Sequence, residues 1–357
     1  MSLCKYKYLA GVSLLLVSTV ASAEDYVAKV LTVPAPYGQD VMINGAGDNG
    51  LMSGHVDGGI FGYAVYFTTQ GGMRIMEPSN NSYLGTYITD SWGATYHSGY
   101  GSASVGTHAL FWVGGNPQPV DLHPSGLAQS SWAEGIDGQY QCGRYLAPNN
   151  SQGACLWSRT ASSFRALKSG PYSFVVADGV DSTDMPAGLI WFVGHGALND
   201  IADSRALFWP GITADPIDLS VAGYGMSEAH SCDYPQVAGY AIKSVDGSDY
   251  RHAALWNQVT HTFVDLNPNA TFKGSEVLSV RNGVQVGWAG VTGNTSSGRQ
   301  ATLWHGVAAT WTNLKARLPF PYNTRECVAT DIDAQGNVVG WATNNSGAKV
   351  PCVWFRQ

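Results

Sequence analysis

The sequence predicts an all-β chain folded as a seven-bladed β-propeller of four-stranded antiparallel blades, with the N-terminal strand closing the last blade. Three observations predict it: an aromatic landmark recurs at the spacing of one blade, a glycine landmark travels with it, and the last unit stops one strand short. The first landmark is Ala, then apolar residues, then Trp, as in Ala109-Leu110-Phe111-Trp112, Ala154-Cys155-Leu156-Trp157 and Ala206-Leu207-Phe208-Trp209. It continues through Ala254-Leu255-Trp256, Ala301-Thr302-Leu303-Trp304 and Pro351-Cys352-Val353-Trp354, with a weaker early copy at Ala64-Val65-Tyr66-Phe67. The terminal aromatics lie 45, 45, 52, 47, 48 and 50 residues apart, the length of one four-stranded blade.

The elements follow in chain order. Lys5 and Lys7, the apolar run Leu9 to Val20 and the small residues Ala21-Ser22-Ala23 read as a signal peptide, residues 1–23. That run is too short to cross a bilayer and no later stretch is long enough, so no membrane span is expected. The domain is expected to occupy residues 24–357. Tyr26 to Val33 is β-prone, and Val30-Leu31-Thr32-Val33 followed by Pro34, Pro36 and Gly38 resembles the outer-strand pattern Val120-Asp121-Leu122 followed by Pro124 and Gly126. Each unit then reads as four short strands. Within it a Gly precedes an aromatic, His or Arg: Gly54-His55, Gly99-Tyr100, Gly143-Arg144, Gly194-His195, Gly239-Tyr240, Gly287-Trp288 and Gly340-Trp341. Most units end in pieces such as Ile217-Asp218-Leu219 and Val264-Asp265-Leu266. Gly, Asn and Asp between strands suit tight hairpins. The seventh unit ends at Gln357 without its outer strand, and the N-terminal segment supplies one beside Val353, protecting both edges.

Composition narrows the partners. Processing leaves seventeen basic residues against twenty-six acids, with no basic face to hold phosphate backbones, so nucleic acid is excluded. Export permits disulfides. Five cysteines survive processing, an odd number, and Cys142 with Cys155, flanking the turn Pro148-Asn149-Asn150-Ser151, form the expected pair.

These units resemble the HAF-type repeats of bacterial extracellular proteins. The best match runs Ala329-Thr330-Asp331-Ile332-Asp333-Ala334-Gln335-Gly336-Asn337-Val338-Val339-Gly340-Trp341, and the Ala-x-Leu-Trp and x-Asp-Leu elements belong to the same repeat. The resemblance implies an exported propeller, secreted or periplasmic. It carries no shared activity and no catalytic residues.

No His-Glu-x-x-His, Gly-x-Ser-x-Gly, phosphate loop or Cys-x-x-Cys occurs, which leaves sites assembled from separate blades. The residues after the repeat glycines form a ring by equivalence, with His55, Tyr100, Arg144, His195 and Tyr240 as catalytic candidates. In a polysaccharide lyase such a set would supply the base and the group that neutralises a uronate carboxylate. The bland alternative is that these side chains wedge between blades. Glu134, Glu228 and Asp331 on inner strands could serve glycoside hydrolysis, although Asp331 and Asp333 also belong to the repeat, where Asp bonds the backbone of the next turn. Tyr145, Arg205, Arg251 and His252 are candidates for ligand binding on the loop face. Asp178, Asp181 and Asp184 fit no calcium loop, and no metal or cofactor is expected. Three classes of function remain: a binding module for a glycan or another extracellular protein, a secreted polysaccharide lyase or glycoside hydrolase, and an assembly protein tethered through its odd cysteine.

Overall fold

The computed structural model describes residues 25–34, 40–57, 61–68, 70–78, 82–182, 189–199 and 201–357 except 293–297. The expected signal peptide, Pro36, Gly38 and Asp184 lie outside these residues. The strands form seven four-stranded antiparallel sheets arranged as blades in a ring. Blades 1 to 6 occupy residues 41–75, 86–121, 130–166, 174–218, 227–265 and 274–313, and blade 7 combines residues 327–356 with Tyr26–Val30. That N-terminal strand pairs with Lys349–Arg356, Lys29 opposite Val353, which closes the ring as the sequence predicted.

Every inner strand carries a β-bulge at the same place. A bulge leaves one residue unpaired and bends the strand. Those residues are Asn44, Thr89, Glu134, Asp178, His230, Leu278 and Thr330, and all line the central channel. The bulge also explains the glycine landmark. A Cβ on any of the seven repeat glycines would overlap a carbonyl oxygen of the inner strand: Met42, Tyr87, Trp132, Val176, Glu228, Glu276 or Val328 in turn. No side chain fits there.

The aromatic landmark holds neighbouring blades together. Phe67 and the six Trp residues are at most 4% exposed, and one apolar cluster fills each of the seven junctions. Three Trp indoles also donate to the preceding blade: Trp209 to Lys168 O at 2.8 Å, Trp256 to Leu219 O and Trp354 to Leu314 O, both at 2.9 Å. Carboxylates at the lower ends of inner strands add polar ties. Asp137 accepts from Ser182 N at 2.6 Å, Asp181 from Tyr234 N at 2.8 Å, Asp233 from Asn282 N at 2.7 Å and Asp333 from Gly50 N at 2.7 Å. Each bond crosses a junction. Asp331 likewise accepts from Ala46 N, and Asp333 from its own turn at Gln335 N and Asn337 N.

The expected disulfide is not formed. The register sets Cys142 opposite Leu156 and Cys155 opposite Gly143, so the two thiols leave the sheet on opposite faces. Cys142 enters the junction with blade 4 and Cys155 the junction with blade 2. All five cysteines of the described residues are free and buried.

Candidate functional site

The upper face, where inner strands begin and second strands turn into third strands, gathers most of the predicted residues. The residue after each repeat glycine pairs across with the residue two places before the bulge, as in Trp132 with Arg144 and Glu228 with Tyr240. Two side chains per blade therefore rise side by side above the bulge residue. Seven such pairs make the face.

On blades 3 to 6 these positions, the bulge residues below them and Arg251 of a third strand carry a series of ionic contacts. Arg144 Nε donates to Glu134 Oε1 at 3.1 Å, and His195 Nδ1 lies 2.7 Å from Asp178 Oδ2. Glu276 accepts from His230 Nε2 at 2.9 Å, Arg251 at 2.9 Å and the Trp288 indole at 3.2 Å. Tyr240 feels the charge of Glu228, which with burial raises its phenol, and carries the Arg251 guanidinium 4.3 Å over its ring. Burial alone would lower the His195 pKa, but the charge and hydrogen bond of Asp178 raise it to about 9. Burial would raise the Glu276 carboxyl, yet His230 and Arg251 hold it down at about 2. Glu134 goes the other way, raised by burial against the pull of Arg144. Glu134, Arg144, Asp178 and His195, with Gln152, Phe174, Val176 and Asn199, line an open cleft of about 620 Å³.

The wedge reading and the site reading each hold for part of the ring. Tyr240, Trp288 and Trp341 are 1%, 2% and 4% exposed and serve as packing, whereas His55, Tyr100, Arg144 and His195 remain partly open to solvent. His55 stands apart from these ionic contacts. It meets Tyr87 edge-on at 4.9 Å in a cleft shared with Lys349, and burial lowers its pKa. Tyr87 in turn stacks on Tyr100 at 5.0 Å.

The other candidates have different duties. Arg205 bonds Asp218 at 2.8 Å and His252 bonds Asp265 at 2.9 Å, ties that hold the outer strands of blades 4 and 5. His108 with Asp121 repeats the arrangement in blade 2 at 2.8 Å, which explains the Asp of the x-Asp-Leu landmark. Tyr145 packs edge-on against Phe164 at 5.2 Å. Asp331 lines the channel well below the upper face and belongs to a blade junction. Among the described residues no group of three or more His, Cys, Asp or Glu is placed to hold a metal.

Sequence reasoning overlooked Glu276 and Trp132. Both sit two residues before the bulge, in the place Glu228 holds in blade 5. That alignment was the available signal.

The Asp178–His195 pair carries its own expected result. An imidazole whose folded pKa is raised contributes stability below its unfolded pKa near 6.5, and that contribution is lost as pH rises through about 9. The wild-type midpoint of thermal unfolding should fall over pH 7 to 9.5 by an amount worth of the order of 2 kcal/mol. In His195→Gln that limb of the profile should flatten. An unchanged slope in the variant would show that another group titrates.

No known protein family and no curated protein sequence matches the chain. Solved structures resemble it. An oligogalacturonate lyase from Vibrio parahaemolyticus is 7% identical with a TM-score of 0.52, over 93% of this chain and 98% of that one. TolB from Acinetobacter baumannii is 9% identical with a TM-score of 0.44, over 77% of this chain, which spans 62% of TolB. YCF48 bound to D1 peptide is 12% identical with a TM-score of 0.43, over 93% of this chain and 95% of that one. The likeness to the lyase is one of fold, with no sequence relationship that would carry a site across.

Proposed function

We propose that the chain is an exported propeller of the HAF-repeat type, a single domain once the signal peptide at residues 1–23 is removed, and that it binds glycan across the upper face of blades 3 to 5. The observation that carries this reading is the state of the charges in the 620 Å³ cleft. Arg144 and His195 are each tied to a carboxylate, so the cleft offers hydrogen-bonding groups already fixed in place. Apolar and aromatic walls accompany them: Arg144 lies 4.6 Å over Trp132, and Phe174 stands edge-on to His195 at 6.1 Å. Fixed polar groups beside ring surfaces suit the hydroxyls and apolar faces of a sugar.

Lyase chemistry at the same cleft is less well supported. Asp178 keeps His195 protonated at neutral pH, and burial and Glu228 raise the Tyr240 phenol, so neither is a ready base. One observation favours hydrolysis as a second reading. The raised carboxyl of Glu134 and the carboxylate of Asp178 share the cleft, and two carboxyl groups in unlike environments are the equipment of a glycosidase.

Calorimetric titration against a panel of oligosaccharides should find a ligand whose affinity falls at least about tenfold in Arg144→Ala, the loss expected for one charged hydrogen-bonding anchor. The same panel should show no release of reducing ends. Release that disappears in Glu134→Gln would replace the binding reading with the hydrolytic one.

A further inference from the structure

We infer that the glycan is a linear, neutral oligosaccharide whose chain runs on from the cleft of blades 3 and 4, across blade 2, to a second cleft on blade 1. Tyr100 and Tyr87 are the ring surfaces between the two clefts. The inference rests on the glycan reading above and names the class of saccharide.

Ring surfaces are unevenly shared around the upper face. Among its seven side-chain pairs, Tyr87 with Tyr100 on blade 2 is the pair in which both members are Tyr, Trp or Phe. The two rings stack at 5.0 Å and 24°, and both keep partial exposure. On blades 6 and 7, by contrast, Trp288 and Trp341 are buried beneath Arg299 and Lys349. Trp132 holds the Tyr87 place on blade 3 and is also partly open. The two inner strands are tied by Thr89 Oγ1, which donates to Ala133 O at 2.7 Å. Half-open rings on neighbouring blades therefore lead away from the first cleft, and each offers a flat apolar surface to a sugar ring. Burial and the charge of Glu134 raise the Tyr100 phenol, so its hydroxyl meets the chain as a protonated donor.

Tyr87 also opens the second cleft. Its hydroxyl accepts from Gly62 N at 3.0 Å, and its ring meets His55 edge-on at 4.9 Å. Both residues line a cleft of about 240 Å³ with Asp40, Asp57, Phe61 and Lys349. Phe61 is 38% exposed and supplies an apolar wall. Lys349 Nζ bonds Met42 Sδ at 3.1 Å, and Lys349 N donates to Asp40 Oδ1 at 2.8 Å. Burial holds His55 below its ordinary pKa, so it adds no positive charge at neutral pH. Two carboxylates against one ammonium give this cleft no attraction for an anionic sugar. The first cleft is balanced too, with Arg144 beside Glu134 and His195 beside Asp178. Hydroxyls match the donors and acceptors at both ends, and an unbranched chain matches the path between them.

The test is calorimetric titration of the full chain with neutral linear oligosaccharides of two to six units, in the β-1,4-linked glucose, mannose and xylose series. In at least one series the hexamer should bind about tenfold or more tighter than the dimer, an advantage that changes little with salt. Tyr100→Ala should cut that advantage to about twofold, and Tyr100→Phe, which keeps the ring, should retain most of it. Arg144→Ala should weaken dimer and hexamer by the same factor. His55→Gln, in the far cleft, should shrink the gain of hexamer over tetramer, and it keeps the test open should Tyr100→Ala fail to fold. Equal affinity for dimer and hexamer, or a length advantage that survives both Tyr100→Ala and His55→Gln, would overturn the path across blades 2 and 1 and leave the glycan reading intact. Binding of none of these oligomers or of the wider oligosaccharide panel would overturn both.

Discussion

Gly340→Ala should destabilise the chain by about 3 kcal/mol or more, the upper part of the range for overpacking, because the atom it meets is backbone. The added methyl would overlap the carbonyl oxygen of Val328, held in place by the bulge between Ala329 and Asp331. A flexible neighbour could rotate away. A carbonyl in an inner strand packed against two blades cannot. Thermal unfolding should shift down by roughly 6 °C. The comparison is Gly211→Ala, where a Cβ would meet nothing within 4 Å, and there the midpoint should hold or rise slightly. Equal behaviour of the two variants would mean that the repeated glycine is not the answer to the bulge. The same substitution at Gly99 or Gly287 should behave as at Gly340, since each faces an inner-strand carbonyl in the same way.

That glycine also marks how far the sequence could be read. Its recurrence, and the Trp that follows it, are legible because the same steric demand returns in every blade: no room beside a carbonyl, and a large apolar space between sheets. The closing strand was legible for a related reason, since an unpaired edge at Lys349–Arg356 and a spare β-prone segment at the other end must be resolved together. The site was only half legible. Arg144, His195, Tyr240 and Arg251 could be named from their place after the repeat glycine or in the loop-facing strands. Of their inner-strand partners, Glu134 could be named as a carboxylate near the channel and Glu276, two places before the bulge, was missed; the bulge residue itself is Asn, Thr, Glu, Asp, His, Leu or Thr in turn. A position that faces an open channel has no packing demand to repeat, so its chemistry varies freely and leaves no periodic trace. The disulfide was misjudged because counting residues across a hairpin gives proximity, while the facing of side chains depends on a register one residue finer.

Glu276→Gln should cost about 3 kcal/mol at neutral pH, the loss expected when one partner of a buried ionic cluster is neutralised. Glu276 is 5% exposed, and it gathers His230, Arg251 and the Trp288 indole on its two oxygens. The amide keeps the shape but offers one accepting oxygen to three donors, and its own N–H groups would face a cation. His230, whose pKa is raised through Glu276 despite burial, loses that support in the variant. The pH dependence separates this cause from a packing defect. A carboxyl held down at about 2 contributes stability that is complete above its unfolded value near 4.5 and is lost as pH falls through 2. The gap between wild type and variant in urea unfolding should therefore be widest above pH 5 and narrow steadily toward pH 2. A gap that stays constant over that range would assign the loss to shape rather than charge. Because Arg251 also covers Tyr240, the variant should weaken saccharide binding on blade 5 as well, and the two losses should share the same pH midpoint if one carboxylate orders both.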